Sequence, residues 1–289
     1  MHKRLGQHFL KNRSAIKKIV AALDLRPGDT VIEIGAGHGE LTEEIISNFQ
    51  FLISNEKLKI VAVEKDGGLA EQLRKKFTGV EVIEGDALKV LPQLCSKFHA
   101  SCFKICGNIP YYITGKLLRI LSGLENKPEL CVLTLQKEVA ERIAAAPPKT
   151  NPVRGREGSQ RTSASNGMNR LAASVQFWAE PEIIARISRK DFEPPPEVDS
   201  AIIKLETRNM KHETRWAEKY YKTVKILFQQ PRKTILNNLI AGEKLLPIKK
   251  EDLSEKLRKI GINPNDRPQN LSVENIIKIS KLFNSASGP

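Results

Sequence analysis

The chain has 289 residues, 40% hydrophobic and 28% charged, with 47 Lys and Arg against 33 Asp and Glu, for a formal charge of +14. That length and apolar content support a sizeable buried core, which excludes a chain disordered as a whole, and no run approaches the ~20 apolar residues of a membrane-spanning helix. The first twenty residues, MHKRLGQHFLKNRSAIKKIV, carry charges throughout and have no unbroken apolar stretch, which excludes a secretory signal. Cys95, Cys102, Cys106 and Cys131 form neither a C-x-x-C pair nor a zinc pattern with histidines, so reduced thiols, a cytoplasmic location and no metal site are expected.

The charge is unevenly placed. Residues 1–20 hold six basic side chains and no acid, residues 21–206 are nearly neutral with 24 basic against 25 acidic, and residues 207–289 hold 17 basic against 8 acidic. A neutral body between two basic ends suggests chemistry in the middle and a grip on a polyanion at the extremities, driven by counterion release.

In chain order, VIEI (31–34), IVAVE (60–64), VEVIE (80–84), FKIC (103–106) and LCVLTL (130–135) are short, β-branched runs bounded by Gly, Asp or Pro, and they read as buried strands. Helical spacing over Glu40–Phe49 and Asp66–Phe77 places helices between them, so right-handed βαβ units and a parallel sheet covered on both faces are predicted. The segment Pro147–Met168 is rich in Pro, Gly, Ser, Thr and Arg and reads as a loop with a charge of +3. IIARIS (183–188) and VDSAIIKL (198–205) follow without a long helix between them, which predicts an antiparallel pair at one edge. Four helices are predicted beyond that point: Thr214–Gln230, Arg232–Ile240, Glu251–Ile260 and Ser272–Phe283. The domain boundary is placed near residue 206.

The first strand runs into Glu33, Gly35, Gly37 and Gly39, an E-x-G-x-G-x-G turn that opens a helix. Glu40 stands where the dinucleotide fingerprint needs its third glycine, which argues against NAD. The second strand ends in Glu64, 29 residues after Gly35, where a carboxylate can accept from both ribose hydroxyls, and the third ends in Gly85, Asp86 and Ala87, beside the position of an adenine amine. Either acid alone is explained as well by a helix cap or a solvated loop. A glycine loop, a ribose acid and an adenine acid at successive strand ends have the order of an S-adenosylmethionine site.

The fourth strand ends in CGNIPYYIT, residues 106–114. The amine of an adenine is a poor nucleophile because its lone pair is delocalised into the ring. The Asn108 side-chain oxygen and the Ile109 carbonyl would hold its two hydrogens, Pro110 would stiffen the turn, and Tyr111 would stack on the base.

These segments together resemble the ribosomal RNA adenine dimethyltransferase family, which dimethylates two adjacent adenosines near the 3′ end of small-subunit ribosomal RNA. The resemblance is carried by LGQHFLKN, EIGAGHGELT, VAVEKD, EGDAL, GNIPYYIT, LQKEVAERI, DFEPPPEVDSAIIKL, FQQPRKTILNNL and GINPNDRPQNLSVENI, in that order along nearly the whole chain. It implies an α/β fold with a Rossmann-like, S-adenosylmethionine-dependent methyltransferase sheet over 1–206 and a smaller helical RNA-binding domain over 207–289. It implies cofactor contacts at His8, Leu10, Gly35, Glu64, Asp86 and Asn108, to which the glycine loop and the third strand end add Gly37 and Ala87. The basic segment 1–20 becomes a lid over cofactor and RNA. Phe192 resembles the family's second aromatic at the target base, with packing at the domain junction as its other reading, and Arg232 and Lys233 are left to touch RNA. The expected partner is ribosomal RNA inside an immature small subunit, bound by a monomer with no membrane contact.

Three departures stand out: His8 occupies the usual Asn of the motif, Pro231 interrupts a Q-R-R-K run, and the 147–168 loop is long, reading equally as a surface insertion or an RNA grip. Two rivals share the front half. One is the family that methylates a large-subunit adenosine and confers macrolide resistance; the other is a non-catalytic relative acting in small-subunit assembly or mitochondrial transcription. The segments PPPEVDSA and GINP favour the small-subunit enzyme, and intact Asp86, Asn108 and Tyr111 favour catalysis.

Overall fold

Where the sequence runs apolar without a break the chain forms strands covered on both faces, and where apolar residues recur every three or four it forms helices laid on them. The structure is a computed structural model that describes residues 7–55, 57–98, 103–147, 167–208, 216–242 and 250–283. The described chain divides into two compact units, Met1–Ala140 with Ala179–Thr207, and Glu141–Trp178 with Arg208–Pro289.

In the first unit the elements are β1 (Phe9–Leu10), α1 (Arg13–Ala22), β2 (Thr30–Ile34), α2 (Glu40–Ser54), β3 (Lys59–Glu64), α3 (Gly67–Lys76), β4 (Val80–Glu84), α4 (Ala87–Cys95), β5 (Phe103–Asn108), α5 (Thr114–Gly123) and β6 (Leu130–Gln136). The helix α6 (Lys137–Ile143) crosses into the second unit, which adds α7 (Arg170–Gln176), and the chain returns as β7 (Ala179–Ile187), β8 (Phe192–Glu193) and β9 (Ser200–Thr207). Seven strands form one sheet in the order β4-β3-β2-β5-β6-β9-β7. The first five are parallel; β9 pairs antiparallel with both β6 and β7, as the two adjacent runs near residue 190 predict. The order reverses at β2, which has β3 on one side and β5 on the other. Ligands of open α/β sheets bind in the crevice at such a switch point, outside the carboxyl ends of the strands.

Both faces of β2 are buried, and its one charged residue, Glu33, is 2% exposed. A second buried titratable group lies on β5: Lys104 pairs with Asp29 at 2.8 Å and donates to the Asp24 carbonyl, which satisfies an ammonium with no solvent access. Cys95, Cys106 and Cys131 are free and buried, and burial pushes their thiols up, which makes them inert.

The expected lid over 1–20 is reduced by the structure. From Arg13 onward the segment is the core helix α1, which buries Ala15, Ile16, Ile19 and Val20 and packs against α2, β6 and β7. Asn12 caps it, accepting from the Ala15 N–H at 3.1 Å. Of the described residues in that segment, Gln7, His8 and Phe9 are the ones that line the cleft described below.

The second unit is helical: besides α7 it holds α8 (Ala217–Leu227), α9 (Ile235–Ala241), α10 (Lys250–Lys259) and α11 (Val273–Leu282). The boundary expected at residue 206 coincides with the end of β9, yet residues 141–178 also belong to this unit. The reason is packing. Ala172, Ala173 and Phe177 share one core with Val224, Leu239, Leu257 and Ile276, the rings of Phe177 and Tyr220 stack at 4.0 Å, and the Tyr220 hydroxyl donates to the Ala173 carbonyl at 2.8 Å. Of the predicted loop, residues 148–166 lie outside the described residues, while Met168 is buried and its N–H donates to the Gln269 carbonyl at 2.9 Å.

Candidate active site

A cleft opens at the carboxyl ends of β2, β3, β4 and β5. Its wall brings together His8, Gly35, Gly37, Glu64, Asp86, Ala87, Asn108, Ile109, Pro110, Tyr111 and Phe192 from six separate stretches of chain. Leu10 instead lines a smaller adjoining cleft, whose wall also includes Gly35 and Asn108.

The glycine turn leaves β2 with Gly35, Gly37 and Gly39 all at positive φ. At Gly35 an added Cβ would meet nothing nearer than the Asn108 carbonyl at 3.9 Å, so its φ of +68° is what demands glycine. Gly37 is demanded by a neighbour: a Cβ there would lie 2.9 Å from the Phe9 ring. Its N–H donates to Glu64 Oε2 at 2.9 Å, and the Asp66 N–H donates to Oε1 at 2.9 Å. Each Glu64 oxygen therefore keeps acceptor capacity for a further donor such as a ribose hydroxyl, on a side chain held rigid and 3% exposed.

Asp86 caps α4, accepting from the Leu88 N–H at 3.0 Å, and its other oxygen pairs with Lys65 Nζ at 3.0 Å. Burial alone would raise this carboxyl; the Lys65 ammonium and the Leu88 N–H outweigh burial and hold it below its ordinary value. Capping and ligand contact are thus compatible readings of Asp86, because the Lys65 pair is half in solvent and weakly held. Lys65 carries no sequence signal of its own.

At the end of β5 the Asn108 amide donates to the His8 carbonyl at 2.6 Å. A carbonyl only accepts, so this bond sets which end of the amide points where, leaving Oδ1 as the free acceptor. Among the described residues no donor is bonded to Asn108 Oδ1 or to the Ile109 carbonyl, while the Ile109 N–H is used by the Thr134 carbonyl at 3.1 Å. Two open acceptors on consecutive residues suit an NH₂ group.

Tyr111 follows in the short turn Tyr111–Ile113, and its hydroxyl meets Ser200 Oγ at 2.7 Å. Its ring stands 6.1 Å from that of His8, with the planes 29° apart. His8 itself is moored through Nδ1, 2.7 Å from the Pro194 carbonyl. Phe192, on β8, is 4% exposed and pairs with Leu10 of β1, so one side of it belongs to the core and another to the cleft wall.

Glu33 lines the smaller cleft. Burial pushes its carboxyl up to about 8, against the Thr42 hydroxyl that donates to it at 2.5 Å. Its signal in the sequence is a lone acid inside an otherwise apolar strand. Among the described residues no group of three or more His, Cys, Asp or Glu is placed to hold a metal ion.

Arg232 and Lys233 lie in the second unit, both exposed, in the turn between α8 and α9. The expected helix from Arg232 begins later, at Ile235, because Thr234 caps it with its hydroxyl on the Asn237 N–H at 3.2 Å. Buried Asn238 shapes the turn: its oxygen accepts from the Gln230 N–H at 3.1 Å, and its amide donates to the carbonyls of Gln230, Lys233 and Thr234.

The profile of the family described as "Ribosomal RNA adenine dimethylase" matches residues 1–285. Proteins named Ribosomal RNA small subunit methyltransferase A are similar to the chain from end to end. The one from Dehalococcoides mccartyi is 35% identical over 94% of this chain and 84% of its own, and the one from Mycoplasma capricolum is 34% identical over 96% of both. Among solved structures, a dimethyladenosine transferase from Plasmodium falciparum superposes with a TM-score of 0.72 at 25% identity, over 96% of this chain and 98% of that one. The fold also matches the 23S rRNA methyltransferase ErmE, with a TM-score of 0.66 at 23% identity over 96% and 99%. The methyl donor this implies is S-adenosylmethionine, and the Glu64 and Asp86 carboxylates in the cleft keep acceptor capacity that fits its hydroxyls and amine. The chain is a methyltransferase and belongs to the ribosomal RNA adenine dimethylase family.

Proposed function

We propose that this enzyme dimethylates N6 of two adjacent adenosines near the 3′ end of small-subunit ribosomal RNA, acting as a monomer on an immature small subunit. The observation that carries the reading is the pair of open acceptors, Asn108 Oδ1 and the Ile109 carbonyl, the first left free because the Asn108 amide is committed to His8. S-adenosylmethionine, when bound, supplies an activated methyl group on a sulfonium centre. Glu64 would hold its ribose, Asp86 its adenine amine beside Ala87, and Gly35, Gly37, His8, Leu10 and Asn108 the remainder.

The protein's part in the chemistry is alignment. An exocyclic amine becomes nucleophilic as it leaves the plane of the ring, and two acceptors on its hydrogens favour that geometry more in the transition state than before it. Pro110 stiffens the turn, Tyr111 offers a stacking face to a base taken out of its helix, and Phe192 closes the wall behind it. Arg232 and Lys233, presented on the turn that Asn238 holds, contact phosphates and position the RNA without reading its sequence.

Incubating the enzyme and labelled S-adenosylmethionine with immature small subunits, mature small subunits and large subunits tests this. Label in the immature small subunit alone is the expected outcome. Label in large-subunit RNA favours the large-subunit reading, and tight binding without transfer favours a non-catalytic assembly role.

A further inference from the structure

We propose that Ser200 is a positioning residue for methyl transfer, its hydroxyl fixing the ring of Tyr111 in the plane that a stacked target base requires. The inference rests on the function proposed above and adds to the site a residue from the far, antiparallel side of the sheet.

Stacking on a base needs an aromatic face and nothing more, and a phenylalanine at position 111 would supply one. The hydroxyl therefore has a separate task. It lies 2.7 Å from Ser200 Oγ, between residues 89 apart in sequence. Tyr111 occupies a three-residue turn lining the cleft and is only partly buried, with the His8 ring 6.1 Å from its own.

Ser200, in contrast, is a rigid anchor. It is wholly buried at the start of β9, paired with Gln136 of β6 on one side and Ile187 of β7 on the other. The residue before it is tied as well: the Asp199 carbonyl accepts from the Lys137 N–H at 2.9 Å, and its carboxylate accepts from the Arg189 N–H at 3.0 Å. A buried serine hydroxyl needs a partner, and the phenol is the one it has among the described residues. The ring is thus pinned at both ends, by its backbone turn and by an interior strand of the sheet. The phenol's own titration carries the mark of this bond, since burial raises it and Ser200 lowers it.

The test compares Ser200→Ala, Tyr111→Phe, the double variant and Ser200→Thr with wild type, reading kcat for methyl transfer to immature small subunits and S-adenosylmethionine affinity by calorimetry. Each single variant is expected to lower kcat about 3- to 10-fold, the range of one hydrogen bond, with cofactor affinity within about twofold. The double should fall no further than the worse single, because both remove the same bond, and Ser200→Thr, which keeps a hydroxyl, should recover most of the loss. In an ultraviolet titration Ser200→Ala should move one tyrosine upward, a change absent when Tyr111 is Phe.

Wild-type kcat in Tyr111→Phe, or losses that multiply in the double, would overturn the inference while leaving the function standing. Tyr111→Phe keeps the question open to measurement even if Ser200→Ala folds poorly. A wild-type enzyme that transfers no methyl to adenosine would overturn both.

Discussion

In Asn108→Ala two bonds of different kinds are lost together, and their sizes predict different readouts. The amide that donates to the His8 carbonyl at 2.6 Å ties the residue just before the two-residue strand β1 to the end of β5. Losing such a bond costs about 0.5 to 1.5 kcal/mol, and this is the most that cofactor affinity can fall through a loosened His8, a contact of the Asn108 backbone with the cofactor being kept by Ala. Since tenfold in affinity is about 1.4 kcal/mol, S-adenosylmethionine binding should weaken by tenfold at most. The acceptor Oδ1 matters mainly in the transition state, and an oriented group of that kind is worth roughly 10² to 10³ in kcat, or about 2.7 to 4 kcal/mol. Single-turnover transfer with saturating cofactor, beside calorimetry, separates the two. A variant that transfers at the wild-type rate, or one whose affinity collapses while saturated turnover is intact, would refute the assignment of Asn108 to the reacting amine.

Glu64→Ala and Asp86→Ala should each weaken S-adenosylmethionine binding by about 1 to 3 kcal/mol in calorimetry, with Glu64→Ala the more severe because Gly37 and Asp66 lose their acceptor as well. Replacing Arg232 and Lys233 together by Ala should flatten the salt dependence of binding to immature subunits by up to about 2 units of slope and leave cofactor affinity unchanged; identical slopes would mark the pair as a solvated turn. Glu33 is held at about 8 in the folded chain against an ordinary 4.5, so the native state binds the extra proton and stability falls as pH rises through that window. Glu33→Gln should therefore gain stability over wild type progressively from pH 5 to 8, read from urea midpoints, and a gain independent of pH would contradict a buried protonated carboxyl.

Much of this was legible in the residues because the central strands β2 and β3 are buried on both faces, whereas β4, expected to be buried as well, is an edge strand and only partly covered. VIEI, IVAVE and VEVIE are short β-branched runs with clear ends, and Gly35, Glu64 and Asp86 stand at or just beyond those ends. β7 was harder: it starts at Ala179, four residues before the apolar run, because an edge strand with Pro181 and exposed glutamates carries little apolar signal. β1 is two residues long and pairs with Phe192–Glu193, a match with no local trace. The same holds for the second unit's claim on residues 141–178, decided by Ala172 and Phe177 meeting Tyr220 far along the chain. In the site, the motif residues announced themselves, whereas the bonds that orient them, His8 to Asn108 and Ser200 to Tyr111, join positions 100 and 89 apart and exist only once the sheet has formed.

The most direct measurement is mass spectrometry of nucleosides and RNA fragments after the purified enzyme and S-adenosylmethionine have acted on immature small subunits. The account predicts N6,N6-dimethyladenosine at two adjacent positions near the 3′ end of the small-subunit RNA, formed at least about a hundredfold more slowly with Asn108→Ala at equal enzyme. Methylation confined to another base, to large-subunit RNA, or undiminished in the Asn108 variant would contradict it.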